Sequence, residues 1–240
     1  TTPNTIVETL FMTIAYRSTI ALTIAAALAG CDTDTAPTVP LPDKPEPLVP
    51  APVEPFTAQI GDVTIKATKE ELVITSNTED NKLTSVESFK GIKFAEAERF
   101  EHSELIDLGT DIDATAFGDA CPQLKTVSQT QSEDCLNLNI WRPVDLDADA
   151  DLPVYVFIHG GDFEYGSGSE ALVHGDTVVA QGSDDGKPFI YVSLNYRLGQ
   201  LGTQWIKGAN EDGNYGLGDQ KRALESVSYT HLTLPTTPVV

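Results

Sequence analysis

His159-Gly160-Gly161-Asp162-Phe163 follows directly on an apolar run that ends at Ile158. Two glycines at the carboxyl end of a strand let the backbone turn sharply and bring its N–H groups close to a ligand. Donors held in that way stabilise the negative oxygen of a tetrahedral intermediate, which is what acyl transfer requires. The plainer reading of the same residues is a tight loop in which glycine supplies positive φ. Cys121 and Cys135 stand 14 positions apart, downstream of an export-like segment. In an oxidising compartment they read as a disulfide, worth about 3 kcal/mol in the chain-entropy picture. A free thiol is the other reading. Neither CxxC nor HxxxH occurs, so no metal site is expected.

These residues must be held by a framework, and the pattern around them supplies one. Leu152 to Ile158 and Pro188 to Leu194 are nearly continuous apolar runs, as central strands covered on both faces would be. Leu136 to Trp141 alternates, with Asn137 and Asn139 opposite Leu138 and Ile140, so a half-buried strand is expected. Asp62 to Thr75 shows two short β-prone runs around a charged break, which predicts a small hairpin. Asp219 to Glu225 begins a helix, with Asp219 placed to favour its positive end. Strands that end in polar, glycine-bearing loops put a ligand crevice at their carboxyl ends.

Several blocks together carry a resemblance. Glu133-Asp134-Cys135-Leu136-Asn137-Leu138-Asn139-Ile140 is similar to the second signature of the type B carboxylesterase/lipase family. Phe89-Lys90-Gly91-Ile92-Lys93-Phe94-Ala95, Ala120-Cys121-Pro122-Gln123, the HGGDF stretch, Asn195-Tyr196-Arg197-Leu198-Gly199 and Gly216-Leu217-Gly218-Asp219-Gln220 resemble its other blocks, in family order. The resemblance implies an α/β chain with the α/β-hydrolase fold: the N-terminal portion of a mostly parallel central sheet with helices on both faces. It implies a carboxylic ester hydrolase with a Ser nucleophile, a His base and an acid, no cofactor, and a small-molecule ester as substrate. The oxyanion donors map to the backbone N–H groups of Gly161 and Asp162, supported by His159, Gly160 and Phe163. His159 reads as an orienting or packing residue of the loop.

No Gly-x-Ser-x-Gly occurs in the 240 residues. In the family that elbow lies shortly beyond the GLxDQ helix, so the triad is expected in sequence that follows, and the chain alone is expected to be inactive. His102, His159 and His174 precede the elbow and cannot be assigned to the triad by position. Two departures stand out. Asn137 replaces an aromatic residue or Thr, which predicts a packing change. Asp162 places a carboxylate beside a developing negative charge, unfavourable unless it points away or is paired. The alternative function is therefore a catalytically silent, esterase-like surface-binding protein. Gly166-Ser167-Gly168-Ser169-Glu170-Ala171 satisfies a loose dinucleotide pattern but lacks its strand-turn-helix context.

The ends of the chain read differently. Residues 1–30 are read as upstream residues followed, from Met12, by a signal peptide ending Leu28-Ala29-Gly30-Cys31, which resembles a bacterial lipobox and nominates Cys31 for lipidation. A plain secretory signal is the other reading. Residues 31–56 form a Pro-rich tether whose fixed φ angles preclude helix and central strand. Residues 57–226 are the family domain, and 227–240 are read as adapter-derived. With 36 acidic against 15 basic residues and a net charge of −21, nucleic acid is excluded as a partner. The expected location is the bacterial envelope, reached by export and held through the lipid on Cys31.

Overall fold

A computed structural model of the chain describes residues 46–60, 62–76, 81–146, 150–205 and 213–229. The signal segment, Cys31, most of the tether and residues 230–240 lie outside the described residues. All elements below belong to one unit that begins at Pro47.

Three long strands open the unit: β1 (Glu54–Ile60), β2 (Val63–Ile74) and β3 (Lys82–Lys93). Short strands β4 (Ala95–Glu96), β5 (Glu104–Leu105) and β6 (Asp111–Asp113) follow, then β7 (Asn137–Pro143) and β8 (Val154–Ile158). Helix α1 (Asp176–Asp184), strand β9 (Ile190–Leu194), the short helix α2 (Gly199–Thr203) and α3 (Tyr215–Tyr229) complete the order. The main sheet runs β1-β2-β3-β7-β9-β8, with β6 beside β2.

The chain is α/β, but the expectation of mostly parallel pairing is corrected for the described strands. β1–β2, β2–β3, β3–β7 and β7–β9 are antiparallel, and only β8–β9 and β2–β6 are parallel. Parallel pairing needs a long crossover, and here α1 supplies one between β8 and β9. Helices cover both faces. Leu138, Ile140, Val192 and Leu194 pack in a core with Ala223 of α3. Trp141 and Tyr191 turn to the other face and meet Val179 and Ala180 of α1. Each such fully buried apolar side chain contributes about 1.5–3 kcal/mol.

Four local readings are revised. Val63–Ile74 is one continuous strand and not a hairpin, because the charged break is satisfied across the sheet: the Lys90 ammonium lies 2.5 Å from Glu70. The Pro-rich segment enters the sheet at Glu54, with Pro55 tolerated because β1 is an edge. β8 is also an edge among the described strands, exposing Val154, Tyr155 and Ile158, so it is not covered on both faces. β7 is buried on both faces rather than half-buried, because Asn137 and Asn139 are hydrogen-bonded inside.

Helix α3 starts four residues before Asp219 and runs through Tyr229, past Ser226, which is buried. Asp219 therefore sits in its second turn and meets Arg197 instead of capping the helix. The Asp185–Gly186 region closes α1, a helix the sequence pattern did not announce, since only Val179 and Ala180 of it are buried.

Candidate active site

The HGGDF loop leaves the carboxyl end of β8 and folds back at once. Three consecutive residues take left-handed φ: Gly161 at 118°, Asp162 at 57° and Phe163 at 61°. Asp tolerates that region, whereas a bulky Phe there stores roughly 1–3 kcal/mol of strain, which the surroundings must over-determine. They do so through carbonyls. The N–H groups of Glu164 and Tyr165 donate to Gly161 O at 2.9 and 3.2 Å, and Gly199 N–H donates to Phe163 O at 2.6 Å. A Cβ on Gly161 would overlap the Tyr165 carbonyl oxygen, so the turn admits no side chain there.

With those carbonyls engaged, the N–H groups of Gly161 and Asp162 meet no acceptor among the described residues. Two adjacent N–H groups at a strained turn beyond a strand's carboxyl end are thus left without a partner among the described residues. The Asp162 side chain is exposed and in no ion pair among the described residues, so its charge is largely solvated.

His159 is 5% exposed and stacks on Tyr196 at 4.4 Å between ring centres. Its Nδ1 lies 2.9 Å from Gly160 O, the geometry of an N–H donor, while Tyr196 Oη donates to His159 O at 2.8 Å. Burial pushes its pKa down, opposed by the Gly160 carbonyl. A neutral ring with Nδ1–H leaves Nε2 as a buried acceptor with no partner among the described residues. Gly166 packs against this ring: at φ 120°, a Cβ on it would overlap the imidazole.

The loop that follows is buried and polar. Asn195 Oδ1 accepts from Gly168 N–H at 2.8 Å and from Ser167 Oγ at 3.2 Å. Ser193 Oγ donates to Gly168 O at 2.6 Å, and Asn139 Nδ2 reaches Ser193 Oγ at 3.1 Å. Asn137, expected to alter only packing, donates to Asp119 O at 2.9 Å and Cys135 O at 3.0 Å. Buried amides of this kind must be fully satisfied to be tolerated, and these are. The Gly166–Ala171 stretch is thus a clasped loop that runs into a single 3-10 turn (Ala171–Val173), and the first α-helix after it begins only at Asp176, away from a dinucleotide cradle.

Cys121 and Cys135 are disulfide-bonded, with Cα atoms 4.9 Å apart. Two bonds join the loop so closed to the turn's far side: Gly166 N–H donates to Gln123 Oε1 at 2.9 Å and Gln123 Nε2 donates to Gly166 O at 2.8 Å. The sequence marked Gln123 only as part of a block and gave it no role; its position two residues beyond a bridging Cys was the available signal.

Arg197 and Asp219 form a buried bidentate pair, Nε and Nη2 each 2.8 Å from a carboxylate oxygen, with Arg197 N–H adding a third bond at 3.0 Å. It ties the segment after β9 to α3. His174 is structural, stacked on Phe117 at 4.8 Å, and His102 faces Tyr215 at 5.3 Å; neither is brought to the turn. His231 lies outside the described residues. A cleft of about 800 Å3 opens among Glu96, Glu98, Arg99, His102, Glu133 and Asp134, and contains no residue of the turn. Among the described residues no group of three or more potential metal ligands converges.

The carboxylesterase family pattern matches residues 74–230. The para-nitrobenzyl esterase of Bacillus subtilis (strain 168) is 42% identical over 156 residues, taking in 59% of this chain and 30% of the esterase. The bile salt-activated lipase of Rattus norvegicus is 40% identical over 152 residues, taking in 58% of this chain and 24% of the lipase. The crystal structure of Aspergillus niger EstA superposes with a TM-score of 0.57 at 28% identity, covering 75% of this chain and 33% of that one. The chain spans about a third or less of the length of these relatives. With its family pattern matched over more than half its length and its fold shared with a fungal esterase, the chain belongs to the carboxylesterase family, with the α/β-hydrolase fold.

Proposed function

We propose that this chain supplies the oxyanion loop of a carboxylic ester hydrolase acting on small-molecule esters, with donors at Gly161 and Asp162. The observation that carries the reading is the pair of N–H groups without an acceptor among the described residues, at a strained turn beyond β8. In such a reaction a serine hydroxyl attacks the ester carbonyl, a histidine takes its proton, and the carbonyl oxygen becomes an anion. The N–H pair bonds more strongly to that anion than to the ground-state carbonyl, so it lowers the barrier and does not merely hold substrate. His159, neutral and buried, orients Gly160 and takes no proton in the reaction.

On this reading the serine, its acid and its histidine stand outside these 240 residues, which contain no Gly-x-Ser-x-Gly, and the 240 residues by themselves hydrolyse no ester. Cys31 carries a lipid that holds the protein at the cell envelope after export; secreted lipases of Arthroderma benhamiae and Botryotinia fuckeliana among the relatives support export.

A second reading, an esterase-like surface-binding protein without catalysis, is favoured by 42% identity over 107 residues to the neuroligin-like protein glit-1 of Caenorhabditis elegans. Translating the full reading frame past Tyr229 and labelling its product with a fluorophosphonate separates the two. A Gly-x-Ser-x-Gly serine that takes the label supports the hydrolase. Gly, Ala or Asn at that position, with no labelling, supports the binding protein.

A further inference from the structure

The oxyanion turn is held from within by its own hydrogen bonds and from without by the disulfide-closed loop. Four side chains of that loop reach the segment after the turn. Lys125 Nζ lies 4.1 Å over the Tyr165 ring, Ser128 Oγ donates to Glu170 Oε1 at 3.3 Å beside its own N–H at 3.2 Å, and Gln129 Nε2 reaches Ser169 O at 3.4 Å. These contacts are long or solvent-facing. Gln123 differs in kind. Its amide lies flat against Gly166, donating to the carbonyl and accepting from the N–H at once. Its Nε2 also donates to Cys121 O at 3.1 Å, and its own N–H is taken by Gln131 Oε1 at 2.8 Å, so the side chain has one favourable placement.

Gly166 is where a push from outside would reach the donors. It follows Tyr165, whose N–H closes on Gly161 O, and it abuts the His159 ring that bonds Gly160 O. A shift of Gly166 therefore acts on the turn from both ends. We propose that Gln123 is a positioning residue for the reaction, fixing the direction of the Gly161 and Asp162 N–H groups through its paired bonds to Gly166. The proposal rests on the oxyanion reading above.

Only a coplanar donor and acceptor make both bonds, which gives the test its chemistry. In the full reading frame, Gln123→Ala should lower kcat on a p-nitrophenyl ester by on the order of 100-fold, as small misplacements of reacting groups do, with KM changed less than about twofold. Gln123→Glu keeps the acceptor when ionised but loses the donor and sets a negative charge against Gly166 O. Protonated, it presents both again. Its kcat relative to the parent protein should rise as the pH falls from about 8 towards the carboxyl's range near 5. A residue that merely fastens the fold would show no such pH-dependent recovery.

Retention of kcat within about twofold by Gln123→Ala, or a flat Gln123→Glu ratio across that pH range, would overturn the proposal. Hydrogen exchange gives a readout independent of turnover. Faster exchange of residues 159–166 in Gln123→Ala, with β7 and β9 unchanged, supports it, and unchanged exchange at 159–166 overturns it. Should the parent protein hydrolyse no ester, the oxyanion reading fails, and the exchange result alone decides what Gln123 positions.

Discussion

The strained turn makes demands that individual residues meet. Gly161 sits at φ 118° with no space for a Cβ. Gly161→Ala must therefore rotate the turn, and loss of oxyanion donors typically reduces kcat by about 100- to 1,000-fold. Steady-state kinetics of that variant in the full reading frame, with a melting curve to show it folded, check this. His159 makes a different prediction. Burial holds its pKa below the ordinary value near 6.5, so the unfolded chain binds a proton there before the folded one does. The stability it contributes is complete above about pH 6.5 and is lost as the pH falls below that towards the folded pKa. His159→Phe should flatten this part of the stability curve, measured by denaturant unfolding at stepped pH; a parallel curve for the variant would contradict the assignment.

Among the elements around the turn, a parallel ladder holds β8 to β9, and the Arg197–Asp219 pair, with side chains 6% and 0% exposed, holds the segment after β9 to α3. Removing one partner leaves the other charge buried, so Asp219→Asn should destabilise by about 3–5 kcal/mol in urea unfolding, far beyond an exposed pair such as Lys221–Glu225. The elements also explain what the sequence could and could not reveal. The apolar run Pro188 to Leu194 was legible because β9 is buried throughout and any residue there must be apolar or paired. The run ending at Ile158 looked the same, yet β8 is an edge among the described strands, because apolarity records which residues want cover and not which strand lies beside them. Asn137 and Asn139 looked outward-facing, since alternation cannot tell solvent from a buried amide network. The HGGDF turn was readable as a motif, but Gln123, 43 residues from Gly166, reaches it only through the folded disulfide loop, and spacing does not encode that.

For the molecule as a whole, β8 has consequences for handling. Among the described strands its outer edge has no partner, and it is flanked by Tyr155 at 55% exposure, with Val154 and Ile158 beside it. Such edges recruit other strands. The 240-residue chain expressed alone should self-associate in light scattering at micromolar concentration, and Tyr155→Lys should reduce that association; a monodisperse monomer would contradict it. The surface charge of −21 opposes association at long range, so raising the salt, which screens it, should increase the scattering.

Whether the Gly161 and Asp162 N–H groups serve ester hydrolysis is decided by turnover. Purified protein from the full reading frame should hydrolyse p-nitrophenyl butyrate with release of one burst equivalent of p-nitrophenol and lose activity on treatment with a serine-directed fluorophosphonate. A folded protein that turns over neither p-nitrophenyl nor p-nitrobenzyl esters, and takes up no label, would contradict it.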